Sequence, residues 1–115
     1  MAPKASPARG PALRHSAPVF AALGDETRLR LIAALCAGGA MSIAQLTAGT
    51  EITRQAVTKH LHVLAEAGLV HGVKSGRERL WEFESTRLDE ARRSLETIAQ
   101  QWDQALMRLK LAVEQ

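Results

Sequence analysis

From Val19 onwards, apolar residues recur every three or four positions, which is the spacing of a helix with one buried face. The pattern predicts four helical segments in the first part of the chain. They cover residues 19–23, 27–37, 42–49 and 53–67. Asp25, Ser42 and Thr53 stand at the starts of the last three segments, where a side-chain oxygen can cap a helix N-terminus. Gly38 and Gly68 follow the first and the third of these segments and Gly49 ends the second, as expected at helix C-termini.

The apolar period then changes to two, which predicts a pair of β-strands. The strands are expected to cover residues 69–74 and 78–83. Ser75, Gly76 and Arg77 lie between them as the turn of a hairpin. Trp81 and Phe83 share one face of the second strand, and we expect both in the core.

Residues 86–113 contain neither proline nor glycine, and their apolar positions return to helical spacing. These positions alternate by three and four over more than three heptads, as in a coiled-coil seam. They are Leu88, Ala91, Leu95, Ile98, Trp102, Ala105, Leu109 and Ala112. Such a helix spans roughly 42 Å. Because a domain this small cannot cover the whole seam, we expect a second copy of the chain to pack against it. The alternative is a seam packed wholly on its own domain.

Two short helices, a tight turn, a longer helix and a β-hairpin are typical of a winged helix-turn-helix. The predicted fold class is therefore mainly α with a β-hairpin wing, in the order α-α-α-α-β-β-α, and we expect a homodimer. In this fold the second helix of the pair enters the major groove of DNA. A two-fold dimer would place two such helices about 34 Å apart and imply a palindromic operator.

The helix predicted at 53–67 has one polar face and one apolar face. Five donors or acceptors occupy about 140° of its circumference. We name them the reading surface, and they are Arg54, Gln55, Thr58, Lys59 and His62. The packing side holds Ala56, Val57, Leu61, Val63 and Leu64. A solvated polar face usually includes acids, but residues 53–63 contain none, which favours DNA binding.

The position of each polar side chain along this helix predicts its role. Thr53 can cap the helix and touch a phosphate, because helix N-termini attract anions. The base edges are expected to be contacted by Arg54, Gln55, Thr58 and Lys59. His62 lies further along and is expected to face a backbone phosphate. His60 falls within the apolar arc, so we interpret it mainly as a packed histidine.

Basic residues also flank the hairpin turn. Lys74, Arg77 and Arg79 would suit a wing that lies along the minor groove or the DNA backbone. The alternative is a charged turn without a DNA contact.

Composition distinguishes the first 18 residues from the rest of the chain. The 115 residues are 46% hydrophobic with a net charge of +3, as expected for one globular domain. Residues 1–18 hold all four prolines and carry this whole excess charge, so residues 19–115 sum to zero. We therefore predict a disordered basic arm at 1–17 and a DNA-binding and dimerisation domain at 18–113. The arm is either a solvated tail or a source of phosphate attraction.

The compartment expected from the sequence is the cytosol. No apolar run approaches the roughly 18 residues of a membrane span. The first residues lack the apolar core of a secretory signal. No membrane partner is expected.

Three motifs carry a family resemblance: DETRLRL at 25–31, QAVTKHLHVL at 55–64 and AGLV at 67–70. With them, residues 17–113 resemble the ArsR/SmtB family of small dimeric winged-helix repressors. The resemblance implies double-stranded DNA as partner, control of the protein's own or adjacent genes, and release of DNA when an effector, such as a small molecule, binds. It also implies a dimer interface formed by the first and last helices, which adds Val19 and Phe20 to the seam.

The sequence departs from the metal sensors of that family. Ser42 and Ala44 stand where many of them carry two cysteines. No histidine follows His71, so Asp89 and Glu90 are expected to lack imidazole partners. We therefore predict no metal and no cofactor. The last helix, with Trp102-Asp103 and the run from Leu106 to Lys110, resembles the metal-free branch of the family.

Two alternative functions stay open. Cys36 lies beside Leu35 in an apolar helix register, so a buried inert thiol is expected, but a redox-responsive repressor or a disulfide between subunits is an alternative. A winged-helix protein-interaction module without DNA binding is the other. No enzyme is predicted, because no nucleophile is paired with a base and no glycine loop cradles phosphate.

Overall fold

The computed structural model describes residues 11–114. Within this range, five helices pack around a small sheet, so the predicted winged helix-turn-helix is confirmed. In chain order the elements are α1 (Pro11–Leu23), α2 (Glu26–Gly38), β1 (Met41–Ser42), α3 (Ile43–Ala48), α4 (Arg54–Glu66), β2 (Val70–Ser75), β3 (Glu78–Phe83) and α5 (Ser85–Glu114).

Helix α1 corrects the predicted arm. Residues 11–17 belong to this helix rather than to a disordered segment, while residues 1–10 of the predicted arm lie outside the described residues. The physical reason is contact with α5, which composition does not show. Ser16 is buried, and its Oγ lies 3.3 Å from Oγ of Ser94. His15 Nε2 lies 3.0 Å from Glu90 Oε2. The expectation that Glu90 lacks an imidazole partner was therefore wrong, because the histidine comes from α1.

The predicted helix caps are confirmed. Asp25 accepts a hydrogen bond from the backbone N–H of Arg28 at 3.0 Å, and this bond lowers the pKa of the carboxyl below its ordinary value. Ser42 forms a reciprocal capping box with Gln45 at the start of α3. Thr53 Oγ1 accepts from the backbone N–H of Ala56 at 3.1 Å. These caps set where the helix pair begins.

The sheet has three antiparallel strands in the order β1-β3-β2. Strand β1 has only two residues, and the sequence did not predict it, because two residues carry no periodic signal. Met41 pairs with Trp81 and Ser42 with Leu80. In the hairpin, Ser75 pairs with Glu78, so the turn is Gly76-Arg77 rather than the three residues predicted. Gly76 has φ +63°, a conformation that glycine adopts without strain.

The core lies between α2, α4 and the sheet. As predicted, the apolar face of α4 is buried at Val57, Leu61 and Leu64, and Trp81 is buried as well. Phe83 is partly buried against the same cluster. The prediction for Val63 was wrong, because this residue is 40% exposed. It lies at the edge of the apolar arc, in an open depression that it lines together with Pro18, Ala21 and Ala22 of α1.

Helix α5 packs on the domain only through its first turns. Val19 and Ala91 are each 1% exposed within their own chain, and Phe20 and Leu88 pack against that core. Val19 and Ala91 therefore have no surface left for the predicted contact with a partner, which corrects that part of the seam. The large apolar side chains further along are exposed. They are Leu95, Ile98, Trp102, Leu106, Met107, Leu109, Leu111 and Val113. No helix in the described range is long and apolar enough to cross a membrane.

Candidate nucleic-acid interface

The five residues of the reading surface lie together on α4. They line one shallow depression of about 560 Å³. Arg54, Gln55 and Lys59 are exposed, and their side chains make no hydrogen bond or ion pair with another described residue. The donors of these three side chains are therefore unoccupied and point away from the packed side of the helix.

The two threonines of α4 have part of their hydrogen-bonding capacity occupied. The Thr53 hydroxyl serves as the N-cap acceptor. Thr58 is half-buried, and its hydroxyl donates to the carbonyl oxygen of Arg54 at 2.8 Å. Thr58 consequently has its methyl group and its remaining lone pairs available to a ligand, but no free donor.

His60 packs against the junction between α1 and α2. Its Nδ1 lies 3.3 Å from Nη1 of Arg28 and 4.0 Å from Oδ2 of Asp25. The predicted packed histidine is confirmed. Sequence reasoning did not find the contribution of Arg28, whose Nε also donates to the carbonyl oxygen of Ala22 at 2.5 Å. Because the partners come from α1, α2 and α4, no local pattern shows this arrangement.

The three basic residues of the wing are exposed, but they are not equivalent. Lys74 and Arg77 have no side-chain partner among residues 11–114. Arg79 instead places its guanidinium carbon 5.1 Å from the ring centroid of Trp81. The Trp81 ring also lies 6.2 Å from the ring of His62 on α4. The wing and the reading surface therefore meet at Trp81.

Cys36 is exposed, so the predicted burial of this thiol was wrong. Helix α2 buries Leu31, Ile32 and Leu35, and Cys36 lies just outside that face. Within the described range, no three His, Cys, Asp or Glu side chains form a group that would hold a metal ion. The absence of metal sensing stays a prediction.

Comparison with known proteins agrees with this geometry. A family model described as a helix-turn-helix domain matches residues 23–73. YuzN of Bacillus subtilis (strain 168), an HTH-type transcriptional regulator, is 37% identical over 76 residues, which are 61% of this chain and 83% of YuzN.

Two solved structures extend the comparison over most of the chain. An ArsR-like transcriptional regulator from Rhodococcus sp. RHA1 has a TM-score of 0.73 and 38% identity, over 87% of this chain and 93% of that one. A possible transcriptional regulator for arsenical resistance has a TM-score of 0.62 and 32% identity, over 68% and 80%.

The fold and the exposed basic helix together define a DNA-binding regulator of transcription. More closely, this chain belongs to the ArsR-like family of winged helix-turn-helix transcriptional regulators. The resemblance that the sequence motifs indicated is thereby confirmed.

Proposed function

We propose that this protein is a repressor that binds a palindromic operator as a homodimer. The observation that carries the proposal is the reading surface, whose five side chains share one exposed depression without an acid among them. The basic residues Lys74, Arg77 and Arg79 on the wing extend the positive surface to the flanking phosphates, and Thr53 adds a hydroxyl at the helix start.

The exposed part of α5 supports the homodimer. Leu95, Ile98, Trp102 and Leu109 lie on the predicted seam and remain 38–63% exposed in the single chain. A long apolar ridge of this kind marks an interaction surface. A second copy of α5 fits it best, because a heptad seam is self-complementary around a two-fold axis. The two reading surfaces would then meet successive turns of one face of the DNA.

The proposal has two further parts. Since the partner is chromosomal DNA, the proposed location is the cytoplasm. Release of the operator by a small-molecule effector, which the family resemblance implies, is proposed without an assigned binding site.

DNA binding is tested with fluorescein-labelled duplexes that tile the region upstream of the protein's own gene. We expect one duplex to bind with a steep dependence on salt. Lys59→Ala should weaken that binding by about tenfold or more, because a base-edge contact is lost. Lys110→Ala is the matched control, since it removes the same charge from the exposed end of α5.

Repression is tested with a reporter gene behind the bound duplex. The protein should lower its transcription, and Lys59→Ala should restore it. Equal DNA affinity of the Lys59 and Lys110 variants would contradict the assigned interface. The absence of binding to every duplex would favour a protein-interaction module instead.

A further inference from the structure

Arg79 occupies space that a side chain on the neighbouring strand would otherwise fill. Gly72 pairs with Trp81 across the hairpin. A Cβ atom on Gly72 would lie 2.7 Å from Nε, 3.1 Å from Nη2 and 3.3 Å from Cζ of Arg79. The guanidinium of Arg79 therefore lies across β2 at the position where β2 has no side chain.

The Trp81 ring bounds the same space on its other side. We call this space, between Gly72 and the Trp81 ring, the seat of Arg79. The guanidinium carbon of Arg79 is 5.1 Å from the ring centroid, within the range of a cation–π contact. Trp81 is 4% exposed and is held by the core, so it cannot follow the arginine. The missing side chain of Gly72 thus leaves room for the guanidinium, and the fixed ring of Trp81 gives it a stacking partner.

The position of the seat connects it to the reading surface. Arg79 and Trp81 are two residues apart on β3 and so lie on the same face of the hairpin. Trp81 also contacts His62, which lines the depression on α4. Arg79 therefore lies on the side of the wing that faces α4, whereas Arg77 is at the hairpin turn.

We propose that Gly72 and Trp81 hold the guanidinium of Arg79 in position to contact one backbone phosphate of DNA. This phosphate would lie between the groove that α4 enters and the part of the DNA that the wing contacts. A guanidinium already held in its bound geometry loses less conformational entropy on binding than a free side chain does. Lys74 and Arg77, which lack such a seat, serve as mobile cations. This inference rests on the proposed DNA interface. It assigns a function in DNA binding to Gly72, although glycine has no side chain that could contact DNA.

The test is the substitution Gly72→Ala, which fills the seat and displaces Arg79. The atoms that must move are the end of a flexible side chain, and Gly72 is not among the residues with positive φ, so the hairpin should still form. Binding is measured by fluorescence anisotropy over a salt series, and the probes are the fluorescein-labelled duplexes from the region upstream of the protein's own gene. Thermal unfolding of each variant checks the fold.

We expect Arg79→Ala to weaken binding about threefold and to lower the salt slope by about one, as for the loss of one phosphate contact. Gly72→Ala should lose a similar factor while Arg79 is present. It should lose nothing further in the Arg79→Ala background. In the Arg77→Ala background, which is the matched control, the Gly72→Ala loss should persist in full.

Several outcomes would overturn this inference. Gly72→Ala could bind as the original protein does, or it could lose as much affinity without Arg79 as with it. Lower thermal stability of Arg79→Ala with an unchanged salt slope would make Arg79 purely structural. If binding still requires Lys59 in any of these cases, only the seat fails. If the original protein binds none of the duplexes, the proposed function fails with it.

Discussion

Arg28 joins three helices through a single side chain. It donates to the backbone of α1, contacts His60 on α4, and its own amide donates to Asp25 at the start of α2. Its position makes the orientation of α4 depend on the junction between α1 and α2. The helix that carries the reading surface is thus supported by contacts on its packed side.

Arg28→Ala should lower the free energy of unfolding by about 1–3 kcal/mol, because hydrogen bonds to a charged group are lost and the carbonyl of Ala22 loses its donor. Urea denaturation measures the change. Arg30→Ala is the control from the same helix. Arg30 makes only an exposed i,i+4 pair with Glu26 at 2.8 Å, worth about 0.3–0.5 kcal/mol. Equal losses for the two variants would contradict the role of Arg28.

Asp25 makes the start of α2 sensitive to acid. Its pKa is lowered, chiefly by the hydrogen bond from the backbone N–H of Arg28. A carboxylate with a lowered pKa in the folded state stabilises fully above its unfolded pKa. That stabilisation is lost as the pH falls through the folded value.

Asp25→Asn should therefore remove part of this acid sensitivity, because asparagine also caps helices but does not titrate. The measurement is the melting temperature of both proteins between pH 7 and about pH 3. The gap between them should narrow or reverse towards low pH. A gap that is constant over the whole range would contradict the lowered pKa of Asp25, because stability depends on pH only where the folded and unfolded pKa of a group differ.

At the scale of elements, the helix starts were predictable and the contacts between elements were not. Capping residues and glycines are local signals, so the ends of α2, α3 and α4 follow from the chain itself. The reading surface was also predictable, because the geometry of one helix decides which of its side chains share a face. The extent of α1 was not, since its contact with α5 joins residues 78 positions apart at Ser16 and Ser94.

In the wing, too, local features were predictable and contacts between elements were not. Alternation located β2 and β3, but the two residues of β1 are a strand only because they pair with β3. The place of Arg79 depends on Gly72 across the hairpin, a relation that neither strand carries alone. The exposure of Cys36 and Val63 depends on how closely neighbouring elements approach these residues. A helical wheel shows one helix alone and carries no information about its neighbours.

Helix α1 should behave as part of the core. Val19→Ala removes two methyl groups from a residue that is 1% exposed and should lower the free energy of unfolding by about 1–3 kcal/mol. Val63→Ala is the same substitution at a 40% exposed position of α4 and should change stability by less than about 0.5 kcal/mol. Chemical denaturation compares the two. Equal effects would mean that α1 is not packed as described.

At the scale of the whole molecule, α5 extends well beyond the domain. The molecule measures 66 × 33 × 20 Å, and the exposed C-terminal part of α5 is half of a long helix with an apolar side. A monomer would leave this surface in water, which is why the second copy enters the proposed function.

Trp102→Glu should convert a dimer of about 25 kDa into a monomer of 12.5 kDa, because a charge would be buried in the seam. Sedimentation velocity measures the mass. DNA affinity should fall with it, since one reading surface would bind without the other. Gln104→Glu is the control, as it adds the same charge on another side of α5. A monomeric original protein would contradict the dimer, and so would a Trp102→Glu variant that remains dimeric.

Ser42 takes part in two structures at once. Its side chain caps α3, and its backbone belongs to β1, which pairs with the middle strand of the sheet. The hairpin is therefore tied to the helix pair through β1 as well as through the core. A swing of the hairpin away from α4 would have to break the pairing at Met41 and Ser42 or carry α3 with it. A ligand that changes DNA affinity by moving the wing must then either break this short pairing or displace α3 in the same step.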